Sequence, residues 1–212
     1  MRTIKKVASH IFIDGFGGMT QGLFATLIIG TMIQQIGLLI GGSTGNVIYL
    51  LGKAAAALTS AGIGVGVAVK YGESPLVTVS AAVAAMVGGY AGKITGGTFF
   101  VDGNAVLAGP GEPLGAFIAA FAGITCGHLV SGKTKVDIIV TPVITIGAGS
   151  VVGLLVGPPI SQMMTGLGSI INWATEQRPF IMGIVVSVVM GMVLTLPISS
   201  CLLYTSDAAD DR

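Results

Sequence analysis

Charged side chains are scarce in this chain of 212 residues. Only 9% of the residues are Asp, Glu, Lys or Arg, whereas a soluble domain usually has about 25%. By contrast, 52% of the residues are hydrophobic. This balance excludes an ordinary soluble domain and predicts an integral membrane protein. The formal net charge of +1, with no basic stripe, gives no basis for binding nucleic acid.

Cysteine and histidine are too few to indicate a redox or metal site. Cys126 and Cys201 lie far apart in the sequence, and neither His10 nor His128 has a companion at metal-ligand spacing. The chain also lacks a GxSxG nucleophile motif and a Walker loop. We therefore expect no catalytic residue within this chain, no cofactor and no bound metal.

Long apolar runs, each of about 20 residues, predict membrane-spanning helices. The predicted spans are residues 15–40, 47–69, 75–92, 113–131, 137–157 and 179–200. Together they predict an all-α membrane protein, a polytopic bundle of transmembrane helices. Gln34 and Gln35 in the first run suggest that this helix is tilted or is broken near Gly30. The first run continues past residue 35 without a cleavage site, so we expect a retained span and not a signal peptide.

The distribution of basic residues predicts the orientation of the chain. With the N-terminus in the cytoplasm, six Lys or Arg residues fall inside and three outside, leaving Arg212 aside. The inner group is Arg2, Lys5, Lys6, Lys70, Lys133 and Lys135, and the outer group is Lys53, Lys93 and Arg178. The positive-inside rule favours this cytoplasmic N-terminus. Residues 161–177 form either an interfacial helix or a further span, which would reverse the orientation of everything after them.

Glycine is abundant, with 34 residues where the usual share of about 7% would give roughly half as many. Many glycines are four residues apart, including Gly18 and Gly22, Gly37 and Gly41, Gly88 with Gly92 and Gly96, and Gly149 with Gly153 and Gly157. Small residues at this spacing let helices approach closely in lipid. We expect close helix packing at most of these positions.

Glu112 stands in the segment GPGEPLG, residues 109–115, of a chain that otherwise avoids charge. Two prolines and three glycines predict that the backbone there does not continue a helix. An acid on broken backbone between spans indicates a functional site, and the alternative is a surface turn with a solvated acid. Asp102 and Asn104 lie on the same Gly-rich segment, residues 93–112, which is either an outside loop or a re-entrant segment.

These side chains suit a polar, uncharged solute such as a sugar. Carboxylates and amides accept from and donate to several hydroxyls, and broken helices supply further backbone groups. We predict Glu112, Asp102, Asn104 and His128 as solute-binding residues. An exposed loop acid explains Asp102 equally well. His128 lies sixteen residues after Glu112, and histidines so placed more often pack or sit at headgroup level than bind a ligand.

Several long segments of the chain resemble a known family of membrane subunits. They are GLFATLIIGTMIQQIG (22–37), GPGEPLGAFIAA (109–120), LVSGKTKVDIIVTPVITI (129–146), GPPISQMMTGLGSIINWATEQRP (157–179) and MGMVLTLPISS (190–200). They resemble the EIIC-type membrane subunit of the bacterial phosphoenolpyruvate-dependent sugar phosphotransferase system. More narrowly, they resemble a smaller EIIC-like branch that includes members labelled as toxin-gene regulators. The resemblance covers about residues 8–200.

The resemblance implies a channel-like, usually dimeric subunit of the bacterial plasma membrane. Such a subunit binds a sugar on the outer side and presents it on the inner side for phosphorylation by soluble phosphocarrier subunits of the EIIA/EIIB type. In EIIC relatives a Glu-Pro pair in a re-entrant loop binds the sugar, and Glu112-Pro113 is the pair that resembles it here. A membrane-bound regulator or sensor without transport is the alternative function, and an unrelated secondary transporter or channel is a third.

The resemblance also predicts the domain organisation. Residues 1–200 resemble the N-terminal part of an EIIC-like transmembrane domain, because members of the family continue past LPISS with further spans. The segment CLLYTSDAADDR, residues 201–212, looks like translated cloning or adaptor sequence joined to a cut reading frame. We expect this segment to be a non-native tail outside the fold.

Overall fold

The protein is helical in the computed structural model, which describes residues 14–101, 104–105, 109–133, 136–175, 183 and 187–188. The helices are α1 (Phe16–Leu23), a π-helical segment (Phe24–Ile28), α2 (Ile29–Ile40), α3 (Gly42–Ala57), α4 (Thr59–Lys70), α5 (Pro75–Gly89), α6 (Ala91–Thr95), α7 (Pro113–Val130) and α8 (Asp137–Thr175). A short antiparallel pair, β1 (Phe100–Val101) and β2 (Asn104–Ala105), lies between α6 and α7. The predicted all-α membrane fold is confirmed, with this strand pair as its one addition among the described residues.

Three helical stretches of the described residues are long and apolar enough to cross a membrane: Phe16–Ile40, Pro113–Val130 and Asp137–Gly166. A fourth candidate consists of α3 and α4, which are bent by 52° at their junction. The helix α5 is apolar but shorter. These helices match the first five predicted spans, whereas nearly all of residues 179–200 and all of the tail 201–212 lie outside the described residues.

The first span and the bent pair form an antiparallel helical hairpin. Glycines let the two backbones approach closely along its whole length, with Gly18 near Gly66, Gly22 near Gly62, Gly30 near Gly52 and Gly37 near Gly45. The hairpin reverses at Gly41, whose φ of 65° is favoured only for glycine. Gly41 therefore makes the turn and is not one of the predicted close-packing residues.

Each of the two antiparallel halves of the hairpin departs from a regular α-helix, and the two departures lie at the same height along the hairpin. The π-helical segment Phe24–Ile28 lies on one side, and the α3–α4 bend at Leu58 lies on the other. Gly30 itself lies in the regular helix α2, and the irregular segment ends at Ile28, close to the position near Gly30 where the sequence suggests a tilt or a break. A wider π-turn, rather than a break, disturbs the first helix.

The helices α1, α4, α5, α7 and the beginning of α8 form the core. Gly64 of α4 packs on Ala81 of α5, and Gly88 of α5 packs on Gly115 and Ala119 of α7. The core is completed by Gly123 and Gly127 of α7, which pack on Thr145 of α8. The predicted role of small residues in helix packing is thus observed at most of these positions.

The part of the hairpin formed by α2 and α3 extends beyond this core, and we call it the arm. Its large apolar side chains are exposed, including Leu38, Leu39, Val47 and Leu51. Such a surface is compatible with lipid and not with water. The chain divides into two compact units, residues 1–158 and residues 159–212, and the elements described above belong to the first unit, apart from the end of α8.

Candidate solute site at Glu112

Glu112 lies in a loop that precedes α7, and the local sequence explains its shape. Gly109 and Gly111 have φ values of 78° and 74°, a region that glycine reaches without steric cost. Pro113 is the first residue of α7, and Glu112 before it is extended, with φ −86° and ψ 110°. The residue before a proline avoids the helical region, so α7 begins after Glu112. The broken backbone predicted at GPGEPLG is therefore present.

Two hydrogen bonds attach this loop to the N-terminal end of α4 and to the C-terminal end of α5. The backbone N–H of Glu112 donates to the carbonyl oxygen of Gly89 at 2.6 Å. The Ser60 hydroxyl, in the first turn of α4, donates to the carbonyl oxygen of Pro110 at 3.0 Å. Gly111 lets the loop backbone come this close to α5, because a Cβ atom there would lie 3.1 Å from the carbonyl oxygen of Gly89. The position of Glu112 is thus fixed by backbone contacts and not by its own carboxylate.

Tyr90 adds a third attachment. Its hydroxyl lies 2.5 Å from the carbonyl oxygen of Gly109, to which it donates, and 3.3 Å from the carbonyl oxygen of Ala57. The loop is therefore held by side chains from two different helix ends.

The Glu112 carboxylate is left available for other interactions. Its side chain is half-buried and does not cap α7, and within the described part of the chain it accepts no hydrogen bond. Burial raises the pKa of Glu112, and the positive charge of Lys93 opposes this rise. Burial likewise lowers the pKa of Lys93, and the charge of Glu112 opposes it. The site thus combines a partly desolvated acid with a nearby cation.

Lys93 is held beside the same aromatic ring that anchors the loop. Its Nζ lies 5.4 Å from the ring centroid of Tyr90, within the usual range for a cation–π contact. This places a cation, an aromatic ring and a carboxylate around one end of α5 and α7. Such a combination can bind a polyhydroxy compound through charged and neutral donors and acceptors.

The loop contacts the hairpin part-way along its length. Ser60 lies ten residues before Lys70 at the end of α4, which corresponds to about 15 Å of helix. Beyond the bend, the 16 residues of α3 continue for about 24 Å. The Glu112 loop therefore lies near the level of the helix break, well short of the hairpin turn at Gly41.

Of the other predicted site residues, His128 is the one whose side chain the structure describes, and it lies far from Glu112. Asp102 lies outside the described residues, and only the backbone of Asn104 is described, paired with Val101. His128 is near the far end of α7, about 24 Å of helix from Glu112. Its Nδ1 lies 2.9 Å from Oε1 of Glu73, and its side chain is 71% exposed.

Sequence reasoning did not select Ser60, Tyr90 or Lys93. Ser60 and Tyr90 are single hydroxyl residues at the ends of apolar runs, a placement that is common in helix packing. Lys93 was considered only for membrane orientation. The one signal in the sequence is that Lys93 and Glu112 lie in the same segment, residues 93–112. Position along the chain does not show that the two charges lie close together in space.

A family model described as "Phosphotransferase system, EIIC" matches residues 13–205. This chain belongs to the EIIC family. The resemblance found in the sequence is therefore confirmed, and the domain bounds 1–200 and 201–212 stay a prediction. The comparisons with curated proteins and with solved structures gave no match.

Membership of the EIIC family makes the chain, in general terms, a membrane subunit of the sugar phosphotransferase system. The family implies a membrane location and interaction with a sugar and with other components of the system. The apolar helices agree with that location. In an EIIC subunit, the half-buried acid on broken backbone is the natural candidate for contact with the transported solute.

Proposed function

We propose that this EIIC subunit binds a neutral sugar through Glu112 and presents it to soluble phosphocarrier subunits of the EIIA/EIIB type for phosphorylation. The observation that carries the proposal is the Glu112 carboxylate, which is fixed by its backbone, half-buried, and without a hydrogen-bond donor among the described residues. Removing part of the hydration of a carboxylate without supplying a donor costs free energy. Sugar hydroxyls are suitable donors, and they would offset this cost on binding.

The charges around the site favour an uncharged solute. Lys93 lies close enough to Glu112 for each to affect the pKa of the other. A neutral sugar can donate to the carboxylate and accept from the ammonium group without adding net charge. The phosphorylated product carries about two negative charges and would be repelled by Glu112. This repulsion would help release the phosphorylated sugar from the site.

The position of the loop along the hairpin supports binding of the solute within the depth of the membrane. A bilayer core is about 30 Å thick, and the loop meets the hairpin part-way along it, beside the α3–α4 bend. Broken helices at such depth are where transporters bind their solutes. We therefore propose that residues 93–112 form a re-entrant segment that opens to the outer side, with the N-terminus in the cytoplasm.

Lys70, the Glu73–His128 pair and Lys133 fit the inner side in this arrangement. Lys70 ends α4, Ser74 begins the following turn, and Ser74 Oγ lies 3.2 Å from Ser131 Oγ, so these groups share one end of the bundle. This end would face the phosphocarrier subunits. The proposal also includes a homodimer, as in other EIIC proteins, which light scattering in detergent would test.

Glu112→Gln tests the proposal, with Glu73→Gln as the matched control. Both replacements remove one carboxylate, but Glu73 lies at the opposite end of α7, beside His128. Bacteria producing the full chain and phosphocarrier partners would be assayed for uptake and phosphorylation of a panel of radiolabelled neutral hexoses and hexitols. We expect Glu112→Gln to lower uptake at least about tenfold, the value of one charged hydrogen bond.

The control and His128→Ala should both retain uptake within about twofold, because the Glu73–His128 pair lies at the opposite end of α7 from Glu112. Unchanged uptake by Glu112→Gln at normal protein levels would contradict the assignment of Glu112. Absence of uptake of every sugar by the unmodified protein, with its partners present, would instead favour a membrane-bound regulator or sensor.

A further inference from the structure

Two buried hydroxyls bind the Glu112 loop across long distances in sequence. For comparison, the half-buried or buried hydroxyls of Ser80 and Thr145 bond within their own helices, to the carbonyl oxygens of Leu76 and Thr141. The hydroxyls of Ser60 and Tyr90 behave differently. They reach carbonyl groups of the loop that lie 50 and 19 residues away. Their bonds therefore stabilise tertiary structure and not a helix.

We infer that Ser60 and Tyr90 are positioning residues, whose hydroxyls hold the loop 109–112 on the α3–α4 bend and so fix the Glu112 carboxylate in the place where it meets solute. This inference rests on the proposed function for its consequence in transport. The positioning itself is a separate property of the loop and can be measured without a solute.

Ser60 is fully buried, and its surroundings leave room only for its hydroxyl. A Cβ atom added at Gly89 would overlap Ser60, and one added at Gly111 would lie 2.5 Å from the Ser60 Oγ. Side chains are therefore excluded from both flanks of this hydroxyl. The loop backbone is thus in direct contact with α4 and α5 at this point.

Tyr90 connects the loop with the bend. Its side chain is almost completely buried, and its hydroxyl lies between the carbonyl oxygens of Gly109 and Ala57. Ala57 is the last residue of α3, immediately before the bend at Leu58. A helix end leaves carbonyl groups without intrahelical partners, and Tyr90 is placed to serve one of them as well as the loop. Loss of its hydroxyl should loosen both contacts together.

Hydrogen–deuterium exchange of the purified full chain in detergent tests the positioning directly. Tyr90→Phe and Ser60→Ala each remove one hydroxyl and keep the rest of the side chain. We expect either change to accelerate exchange of the Glu112 amide, which donates to Gly89, by roughly fivefold, the effect of one lost hydrogen bond of ordinary strength. Ser80→Ala is the matched control, because its hydroxyl bonds within α5.

The control should leave exchange of the loop unchanged, and all variants should leave the interior of α7 protected. Unchanged exchange of the loop in Tyr90→Phe and Ser60→Ala would overturn the inference. Equal acceleration throughout α4, α5 and α7 would also overturn it, because that pattern shows general destabilisation and not release of the loop.

Transport kinetics with the hexose or hexitol that the panel identifies provide the second measurement. A misplaced carboxylate weakens solute binding, so we expect KM to rise roughly fivefold with the maximal rate, per molecule of protein, within about twofold. A fall in maximal rate with unchanged KM would overturn a positioning role in binding. If no sugar of the panel is transported, the proposed function fails while the exchange experiment still decides the positioning.

Discussion

Replacing Gly22 by alanine tests the close contact between α1 and α4. A Cβ atom at this position would overlap the carbonyl oxygen of Gly62 and lie 2.7 Å from the backbone nitrogen of Ile63. Both neighbours are backbone atoms, so no side-chain rotation can relieve the overlap. The helices must therefore separate, and the packing on both sides of the contact must adjust.

Gly17 provides a control on the same helix. A Cβ atom there would have Cε of Lys70 as its nearest neighbour, at 3.8 Å, which is an ordinary van der Waals distance. Gly17→Ala therefore tests the effect of alanine on the helix without a collision. In a helix interior, alanine is favoured over glycine by about 1 kcal/mol.

The expected magnitudes follow from these two terms. Overpacking costs about 2 kcal/mol, so Gly22→Ala should lose about 1 kcal/mol after the gain in helix propensity. Gly17→Ala should gain up to about 1 kcal/mol. The two variants should then differ by about 2 kcal/mol, or roughly 4–8 °C in Tm for a chain of this size.

The assay is thermal unfolding of each full-length variant in the same detergent, followed by circular dichroism and by the amount of monodisperse protein left after heating. We expect the Tm values in the order Gly17→Ala, unmodified protein, Gly22→Ala. Equal Tm values for the two variants, or a higher Tm for Gly22→Ala, would refute close backbone packing of α1 on α4.

The remaining predictions concern the Glu112 loop. Lys93→Met removes the charge that lowers the pKa of Glu112, so the acid limb of the uptake profile should move to higher pH. An acid limb at the same pH in Lys93→Met and in the unmodified protein would show that Lys93 does not act on this carboxylate. Gly109→Ala and Gly111→Ala each place alanine at a positive φ, which costs roughly 1–2 kcal/mol. Only Gly111→Ala also collides with Ser60, so it should lower Tm and uptake further than Gly109→Ala; equal effects would argue against the Ser60 contact.

Local sequence patterns predicted most of the helices correctly. The spans 113–131 and 137–157 appear as α7 and the first part of α8, because long apolar runs can satisfy their backbone in lipid only as helices. The loop at Glu112 was also predictable, since the restrictions that Pro113 and the neighbouring glycines place on φ and ψ are local. The predicted interfacial or spanning role of residues 161–177 stays a prediction, although residues 161–175 are helical.

Features that depend on contacts between distant residues were not predictable in this way. The irregularity expected near Gly30 is the π-helical segment Phe24–Ile28. It lies at the same height along the hairpin as the α3–α4 bend in the facing helix. His128 and Glu112 were proposed for one site, yet α7 separates them by its own length, and His128 pairs with Glu73. Spacing along a chain gives separation along a helix, but it does not identify the neighbour across the bundle.

The sequence by itself determined that this chain is a helical membrane protein of the EIIC family, with an acid on broken backbone before α7. Composition and apolar run length determine the helical membrane fold, because the bilayer permits few backbone structures, and the resemblance of whole segments indicates the family. Only the tertiary structure decided what surrounds that acid: Ser60 and Tyr90 on the loop carbonyls, Gly89 beneath Glu112, and Lys93 close enough to act on its charge. These contacts join residues up to 50 positions apart, and they form because small residues allow α4, α5 and α7 to approach one another.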